Sequence, residues 1–324
     1  MKLAIKNLSG VLDEPISLFV AMASFEDRCR AIGQGLIGSY AQALLFRNPQ
    51  AGELAARNLQ MMMEIAGDKA SSAVLDLDDP TATARSLLTV VEQAAKGPDG
   101  SIFVDITTFT HEQLLILFRV LQEAKPDRNI VFGYTGANEY STNTAPADVW
   151  LSRGVSQVRS VLGFPGNLLP SKRLHLVVLV GFEHERAKAV IEAFEPNALS
   201  LGIGEQDQSV SEQHFQTNRR FFEDVQKFVE RRTSLSSAVN TFTFSCVDPL
   251  ATKRVLLNEI ARLPDYNTVV CPMNTKLSTL GVALAASELQ RLQLCYARAI
   301  EYNEEGYSTA SDEVTIFQMR FPDV

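Results

Sequence analysis

The chain has 324 residues, of which 46% are hydrophobic and 21% charged, a composition typical of a folded globular protein rather than a disordered one. Its formal net charge of −8 argues against non-specific binding to the nucleic-acid backbone, because such binding needs a basic surface. A small anion can still bind in a local basic pocket, since net charge does not describe one cleft.

The first half of the chain alternates short apolar strands with longer helices. After an arm over residues 1–14, the pattern predicts strands at 16–22, 43–46, 73–77, 102–106 and 130–134. The helices are predicted to run to about Gly38 and at 53–66, 80–95 and 111–124. This alternation indicates a parallel sheet covered on both faces, which is a Rossmann-like α/β arrangement.

A segment rich in Thr, Pro, Gly and Asn, at 135–173, is predicted to be a connector or a final hairpin, with a short helix at 151–161. The second half then repeats the alternation. Its predicted strands are 174–180, 198–201, 240–246, 268–271, 297–302 and 314–319. Its predicted helices are 183–194, one within 205–232, 249–263 and 279–294.

The two halves share sequence echoes in the same order. Residues 79–88 read Asp-Pro-Thr-Ala-Thr-Ala-Arg-Ser-Leu-Leu, and residues 248–257 read Asp-Pro-Leu-Ala-Thr-Lys-Arg-Val-Leu-Leu. Shorter echoes are Ser24-Phe25-Glu26 with Gly181-Phe182-Glu183, and Tyr140-Ser141-Thr142 with Tyr307-Ser308-Thr309. We interpret the chain as an internal duplication, with a first half at 1–142, a connector at 143–173 and a second half at 174–324 that carries an insertion near 204–232.

No stretch of about 20 apolar residues is present, so the sequence predicts no membrane span. The start of the chain lacks the apolar run of a signal peptide, and the four cysteines show no CxxC spacing. We therefore expect a cytoplasmic protein with reduced thiols and no metal site.

Two loops in each half are candidate ligand-binding loops, one after the first strand and one after the fourth. In parallel α/β sheets, ligands bind beyond the carboxyl ends of the strands, where such loops lead into helix N-termini. Hydroxyls and amides at a helix start suit phosphate or another anion, and a lysine adds a positive charge. The predicted ligand-binding residues are Arg28, Thr107, Thr108, Thr110, Arg186, Asn274, Thr275, Lys276 and Ser278. Ordinary N-capping by Thr110 or Ser278 is the structural alternative.

If the protein is an enzyme, the predicted catalytic residues are Asp105, His111 and His184. Asp105 ends a strand beside three threonines, and both histidines lie in presumed ligand-facing loops, where a side chain can act as acid or base. No GxGxxG motif follows the opening strand, and no GxxxxGK[ST] or GxSxG motif occurs. Dinucleotide, P-loop and hydrolase interpretations therefore lack motif support, and we expect no cofactor.

The strand that leads into Asn274-Thr275-Lys276 and a helix of small residues resembles the signature of CARF domains, the Rossmann-like sensors of cyclic oligonucleotides in CRISPR-associated proteins. In that family the loop after the fourth strand reads N-x-T-G-G-T-K and contacts the ligand, together with the loop after the first strand. The duplication is similar in layout to SAVED domains, which resemble two fused CARF units. Here the Gly-Gly pair is missing from both halves, and the first half has Phe109-Thr110 in place of Thr-Lys.

The resemblance implies a sensor of a nucleotide, with a cyclic oligonucleotide as a candidate ligand held in the cleft between the halves. Such a protein would act as a sensor or as a subunit of an antiviral defence assembly, with a protein partner that carries the output activity. One alternative is an enzyme that acts on a nucleotide or nucleoside in the same cleft. Another is an interaction scaffold whose partner surface is the Phe-rich stretch at 215–228, which includes Phe221 and Phe222.

Overall fold

A computed structural model describes residues 1–50, 52–140, 152–231, 239–304 and 308–321. The contacts divide the chain into two compact units. The first unit comprises Met1–Tyr140 and Glu304–Val324, and the second unit comprises Ser141–Asn303. The predicted domain ranges differ from this division in assigning the end of the chain to the second half.

Strands and helices alternate along the first part of the chain. They are β1 (Lys2–Ala4), β2 (Ile16–Ala23), α1 (Ala31–Gly35), β3 (Tyr40–Arg47), α2 (Glu53–Ala66), β4 (Ala70–Val74), α3 (Pro80–Lys96), β5 (Ser101–Asp105), α4 (His111–Ala124), β6 (Ile130–Tyr134) and β7 (Ala137–Tyr140). The observed bounds of α2, α4 and β6 equal the predicted ones.

The remainder of the chain continues the alternation and ends in two strands. The elements are β8 (Ser152–Pro165), β9 (Leu174–Leu179), α5 (His184–Phe194), β10 (Ala198–Gly204), α6 (Glu212–Glu230), β11 (Val239–Phe244), α7 (Pro249–Ala261), β12 (Asn267–Pro272), α8 (Lys276–Glu288), β13 (Gln293–Tyr302), β14 (Ser308–Ala310) and β15 (Glu313–Met319). Among the helices that the structure describes, none combines the length and apolar character needed to cross a membrane.

Each unit contains one large mixed, mostly parallel sheet, and in the first unit β14 also pairs with β7 as a separate two-stranded antiparallel ladder. The first sheet has the order β1-β15-β6-β5-β2-β3-β4 and the second has the order β11-β10-β9-β12-β13-β8. All eight residues of β2 and all five of β5 are buried, as expected for parallel strands that are covered on both faces. The predicted fold class, α/β with two Rossmann-like halves, is confirmed.

The two sheets follow one plan, in which the last strand is exchanged. The orders β4-β3-β2-β5-β6 and β11-β10-β9-β12-β13 correspond strand for strand, and each ends on an antiparallel neighbour, β15 beside β6 and β8 beside β13. In the chain, however, β8 follows the parallel strands of the first unit, and β15 follows those of the second unit. We call β8 and β15, with β14 that leads into β15, the exchanged strands.

The repeated Asp-Pro stretch folds identically in both units. Asp79 caps α3 by accepting from Thr81 N at 2.8 Å and Ala82 N at 3.0 Å. Asp248 caps α7 through Leu250 N and Ala251 N, at 2.8 and 3.2 Å. In each case proline occupies the first helical turn, where its missing N–H costs nothing.

Two local predictions are wrong. The helix predicted at 151–161 is part of the strand β8 over its described residues. The apolar side chains Val155, Val158 and Val161 recur every third residue, as in a helix, but the strand accommodates this spacing with register shifts against β13. The helix predicted at 279–294 begins earlier, at Lys276, and ends at Glu288, before β13 starts.

The extra residues of the second half lengthen a crossover that both units contain. The helix α6 connects β10 to β11 as α2 connects β3 to β4, and it is longer, with 19 residues against 14. The region predicted as an insertion near 204–232 therefore includes a regular element of the shared plan.

Candidate functional site

In the first unit, a buried ion pair holds the loop that follows β2. Arg28 Nε donates to Glu26 at 2.6 Å, and Arg28 Nη1 donates to the carbonyl oxygen of Thr135 at 3.1 Å. The side chains of Arg28 and Glu26 are only 6% and 8% exposed. The turn at 27–30 thus directs the guanidinium inward, toward the residue that follows β6.

The loop after β9 in the second unit repeats this arrangement. Arg186 Nη1 donates to Glu183, with side-chain exposures of 5% and 11%. The Arg186 guanidinium lies 5.1 Å from the ring centroid of Tyr296 on β13, a cation–π distance. Arg28 and Arg186 therefore occupy equivalent places, each paired with a glutamate of its own loop. Their contact with a ligand stays a prediction.

The three threonines predicted to bind a ligand all lie in the loop after β5. Thr107 N–H donates to Asp105 Oδ1 at 2.9 Å, and the Thr107 hydroxyl accepts from Thr135 N at 3.1 Å. The hydroxyl of Thr108 donates to the carbonyl oxygen of Met22. Thr110 caps α4 and forms a reciprocal capping box with Gln113.

The loop after β12 is built in the same way with other residues. Asn274 Nδ2 donates to the Val180 carbonyl oxygen at 2.7 Å, and Thr275 caps α8 by accepting from Ser278 N at 3.1 Å. The cap is thus Thr275 and not Ser278, whose own hydroxyl is buried and donates to the Thr275 carbonyl oxygen at 2.8 Å. Lys276 is the first residue of α8 and is half-buried.

In each unit, an equivalent hydrogen bond joins the two candidate loops. In the first unit, Thr108 in the loop after β5 donates to the carbonyl oxygen of Met22 at the end of β2. In the second unit, Asn274 in the loop after β12 donates to the carbonyl oxygen of Val180 directly after β9. Thr108 and Asn274 therefore make equivalent hydrogen bonds in the two units. In each unit, the arginine loop and the helix-capping loop lie side by side at the carboxyl ends of the strands.

Asp105 is a buried carboxyl group with spare hydrogen-bonding capacity. Among the residues that the structure describes, its Oδ2 atom has no hydrogen-bond partner, and the same holds for Thr135 Oγ1 and Gln113 Nε2. Burial raises the pKa of Asp105 to about 7, against the lowering effects of the bonds from Thr107 and the charge of Arg28. Asp105 can therefore gain or lose a proton near neutral pH.

The two candidate catalytic histidines belong to different units. His111 is the first residue of α4 and is 7% exposed. His184 is the first residue of α5 and stacks on Phe221, with ring centroids 5.5 Å apart. Burial is the largest cause of the lowered pKa of His184, so its imidazole is neutral at pH 7.

The predicted Phe-rich partner surface is wrong for Phe221 and Phe222. Both side chains are 6% exposed, because α6 turns its apolar face toward its own unit. Phe222 joins the core cluster that contains Leu201 and Val225. Phe221 stacks with Phe182 at 6.1 Å, so it supports the loop after β9.

A second polar cluster lies toward the amino ends of the second unit's strands. His175 Nε2 and the Ser200 hydroxyl are 2.7 Å apart, and Ser200 donates to Glu259 at 2.6 Å. Serine stands between histidine and glutamate here, whereas a hydrolase triad needs histidine in the middle. Burial lowers the pKa of His175 to about 4, and all three side chains are buried, which is consistent with a structural role for His175.

Four residues of these sites were not predicted: Gln113, Thr135, Ser152 and Tyr296. Thr135 and Tyr296 lie at or beyond the fifth parallel strand, and Ser152 comes from an exchanged strand, where its hydroxyl donates to Glu183. A sequence signal existed only for Gln113, which follows Thr110 at the spacing of a capping box. In the part of the chain that the structure describes, no group of three or more His, Cys, Asp or Glu side chains is placed to hold a metal ion.

These features define a two-unit α/β protein of Rossmann type, with a pair of polar loops at the strand ends of each unit. The sequence matches no protein-family model. No curated protein matches it either.

Solved structures do resemble the chain. A type III CRISPR defence DNA nuclease activated by cyclic oligoadenylate superposes with a TM-score of 0.52 at 9% identity, over 83% of this chain and 63% of that one. Can2 from Sulfobacillus thermosulfidooxidans, solved with cyclic tetra-adenylate, gives a TM-score of 0.29 at 14% identity, over 40% and 34% of the two chains. The chain thus spans less than two thirds of either protein, and at these identities the likeness is one of fold.

Proposed function

We propose that this chain is a nucleotide sensor that binds an anionic nucleotide, with cyclic oligoadenylate as the first candidate, at the loops beyond the carboxyl ends of its strands. The observation that carries the proposal is the doubled site: each unit sets a helix N-terminus capped by threonine beside an arginine loop. The fold likeness to a nuclease activated by cyclic oligoadenylate supports the choice of ligand class.

The chemistry of the loops suits a phosphodiester. The first N–H groups of α4 and α8 and the positive ends of these helices attract an anion. Lys276, at the start of α8, adds a positive charge at the place where α4 has His111. We therefore propose that the second unit contributes more of the phosphate binding, through Asn274, Thr275 and Lys276. Binding between the two halves stays a prediction.

Calorimetric titration with cyclic tri-, tetra- and hexa-adenylate, and with AMP and ATP, tests this function. Lys276→Ala should weaken binding of the preferred compound by about tenfold, the effect of one lost charge-assisted contact. Lys227→Ala, which removes an exposed lysine of α6, is the matched control and should bind normally. No heat with any of these compounds would overturn the proposal.

Asp105 favours a second candidate, an enzyme that acts on the same ligand. A carboxyl group whose pKa lies near 7 suits proton transfer at neutral pH. Incubation of the chain with each cyclic compound, followed by chromatography, would reveal linear products, and Asp105→Asn should abolish them. Unchanged cyclic compound after prolonged incubation would leave the sensor as the better assignment. In that case, we propose that a protein partner carries the output activity in a defence assembly.

A further inference from the structure

Three aromatic rings stack at the carboxyl ends of the strands in the second unit. The ring centroid of Phe221 on α6 lies 6.1 Å from that of Phe182 and 5.5 Å from that of His184, with interplanar angles of 27° and 21°. These are the distances of stacked aromatic pairs. Phe221 is buried, whereas Phe182 and His184 are half-buried. We call these three residues the aromatic stack, and His214 of α6 supports it, 4.7 Å from Phe182.

The loop that leads into the aromatic stack is packed against the loop after β12. Gly181 leaves no room for a side chain, because a Cβ atom there would collide with the carbonyl oxygen of Met273. Asn274, the next residue, donates to the Val180 carbonyl oxygen at 2.7 Å. His184 follows Gly181 by three residues, so their Cα atoms are at most about 11 Å apart. The aromatic stack therefore lies near the residues proposed to bind phosphate, within one unit.

The same crossover helix in the first unit shows which features of this site are shared. Asn58 of α2 donates from Nδ2 to the Ser24 carbonyl oxygen at 2.8 Å, and Asn218 of α6 donates to the Gly181 carbonyl oxygen at 3.2 Å. Both asparagine side chains are buried. Each helix is thus fixed to the loop after the first parallel strand by an equivalent asparagine, which aligns α2 with α6 residue by residue.

The aligned positions differ in their chemistry. Met61 stands three residues after its asparagine, as Phe221 does, and Asp27 follows the Phe-Glu pair, as His184 does. In the first unit, Arg30 joins these two positions, with its guanidinium 2.7 Å from Asp27 Oδ1 and 3.1 Å from Met61 Sδ. The places that hold stacked rings in the second unit therefore hold a thioether and a carboxylate in the first.

We propose that the aromatic stack binds the base of the nucleotide, with His184 as the ring that the base contacts, while Asn274, Thr275 and Lys276 bind phosphate. Every nucleobase has a flat aromatic face that stacks on such a ring, and a purine offers more area than a pyrimidine. The His184 ring is already oriented by Phe221, so it loses little freedom when a base is added. Base binding at this place rests on the function proposed above.

Titration calorimetry of the full-length chain with cyclic tetra-adenylate and cyclic tetra-uridylate tests this assignment. The two compounds carry the same phosphates and differ in the base. His184→Leu removes the ring but keeps an apolar side chain, and should weaken binding of the adenylate about tenfold and of the uridylate less. Lys276→Ala should weaken both compounds by the same factor, because it acts on phosphate.

His184→Phe is the decisive second variant. It keeps a flat ring on Phe221 but has no ring nitrogen, so it should bind the adenylate as the unchanged chain does. Loss of binding as large as that of His184→Leu would show that the imidazole acts through its nitrogens, as an acid, base or hydrogen-bonding group, and would overturn the stacking. Phe242→Leu, which removes a ring of the Phe242–Phe244 pair on β11, is the matched control and should bind normally.

The same titrations separate this inference from the proposed function. If the unchanged chain binds cyclic tetra-adenylate and His184→Leu binds it equally well, the aromatic stack has no part in binding and the inference is overturned, while the sensor proposal stands. If His184→Leu weakens both compounds equally, the preference for a purine is refuted. If the unchanged chain binds no nucleotide, the proposed function and base binding are refuted together.

Discussion

The arginines of the two candidate sites show what a residue pattern predicts and what it omits. Their place at the ligand-facing ends of the sheets follows from the duplicated Phe-Glu pairs and the strands before them. Their burial does not follow, because Glu and Arg a few residues apart at a helix start also form ion pairs on exposed surfaces. Which carbonyl or ring receives each guanidinium depends on the fifth strand, far away in the sequence.

Asp105→Asn is expected to stabilise the chain in a pH-dependent way. The pKa of Asp105 is raised from 3.8 to about 7 in the folded state, so the folded chain retains a proton that the unfolded chain releases. Stability from this group is therefore fully present below pH 3.8 and is lost as pH rises toward 7. Asparagine keeps the acceptor for Thr107 N–H without the charge, and should gain about 2–4 kcal/mol at pH 8.

Thermal unfolding of both proteins between pH 4 and pH 8 would check this expectation, because the difference in Tm should shrink as pH falls. Comparison at each pH cancels the opposite effect of His175, whose lowered pKa weakens the fold below pH 6.5 in both chains. Asp68→Asn, at an exposed position, is the control. A Tm difference that stays constant with pH would contradict the assignment of the raised pKa to Asp105.

At the scale of elements, the helices follow their local signals closely. The bounds of α2 and α4 were predicted from apolar periodicity, and the starts of α3 and α7 from the Asp-Pro dipeptide. Strand β8 shows the limit of this reasoning. Its three-residue valine spacing imitates a helix, and only pairing with β13 reveals an extended, bulged conformation.

The two aspartate caps should contribute equally. Asp79→Ala and Asp248→Ala each remove an acceptor for two N–H groups at nearly the same distances. Each substitution should lower the free energy of unfolding by about 1 kcal/mol, measured by urea titration, and the exposed Asp265→Ala should change it little. A large difference between the two caps would show that the copies differ in their local stability.

At the scale of the whole molecule, the two-sheet plan was predictable but the exchange of strands was not. The echoes in sequence reveal the duplication, and alternation of strands and helices gives the parallel order. By composition, the antiparallel strand that follows the parallel strands fits either copy equally well, so its residue pattern does not show which sheet it joins. That choice lies in the tertiary structure and leaves no mark in a single sequence.

The exchange of β8 and β15 between the two sheets predicts that neither half of the chain folds well alone. A fragment of residues 1–170 carries β8 but lacks β15, and a fragment of 171–324 lacks β8, so each exposes a sheet edge. Expressed separately they should be poorly soluble, and co-expressed they should purify together in equal amounts. The full chain cut at a protease site inserted within 166–173 serves as the control and should stay associated. Two soluble, folded fragments that do not bind each other would refute the exchanged topology.

The exchange of strands has a consequence for expression and divergence. Two separate polypeptides that trade strands assemble according to their concentrations, and identical copies must share every substitution. One continuous polypeptide keeps the copies in a fixed one-to-one stoichiometry at any abundance. It also lets each copy change by itself, as at the first residue of α4 and α8, where one has His111 and the other Lys276.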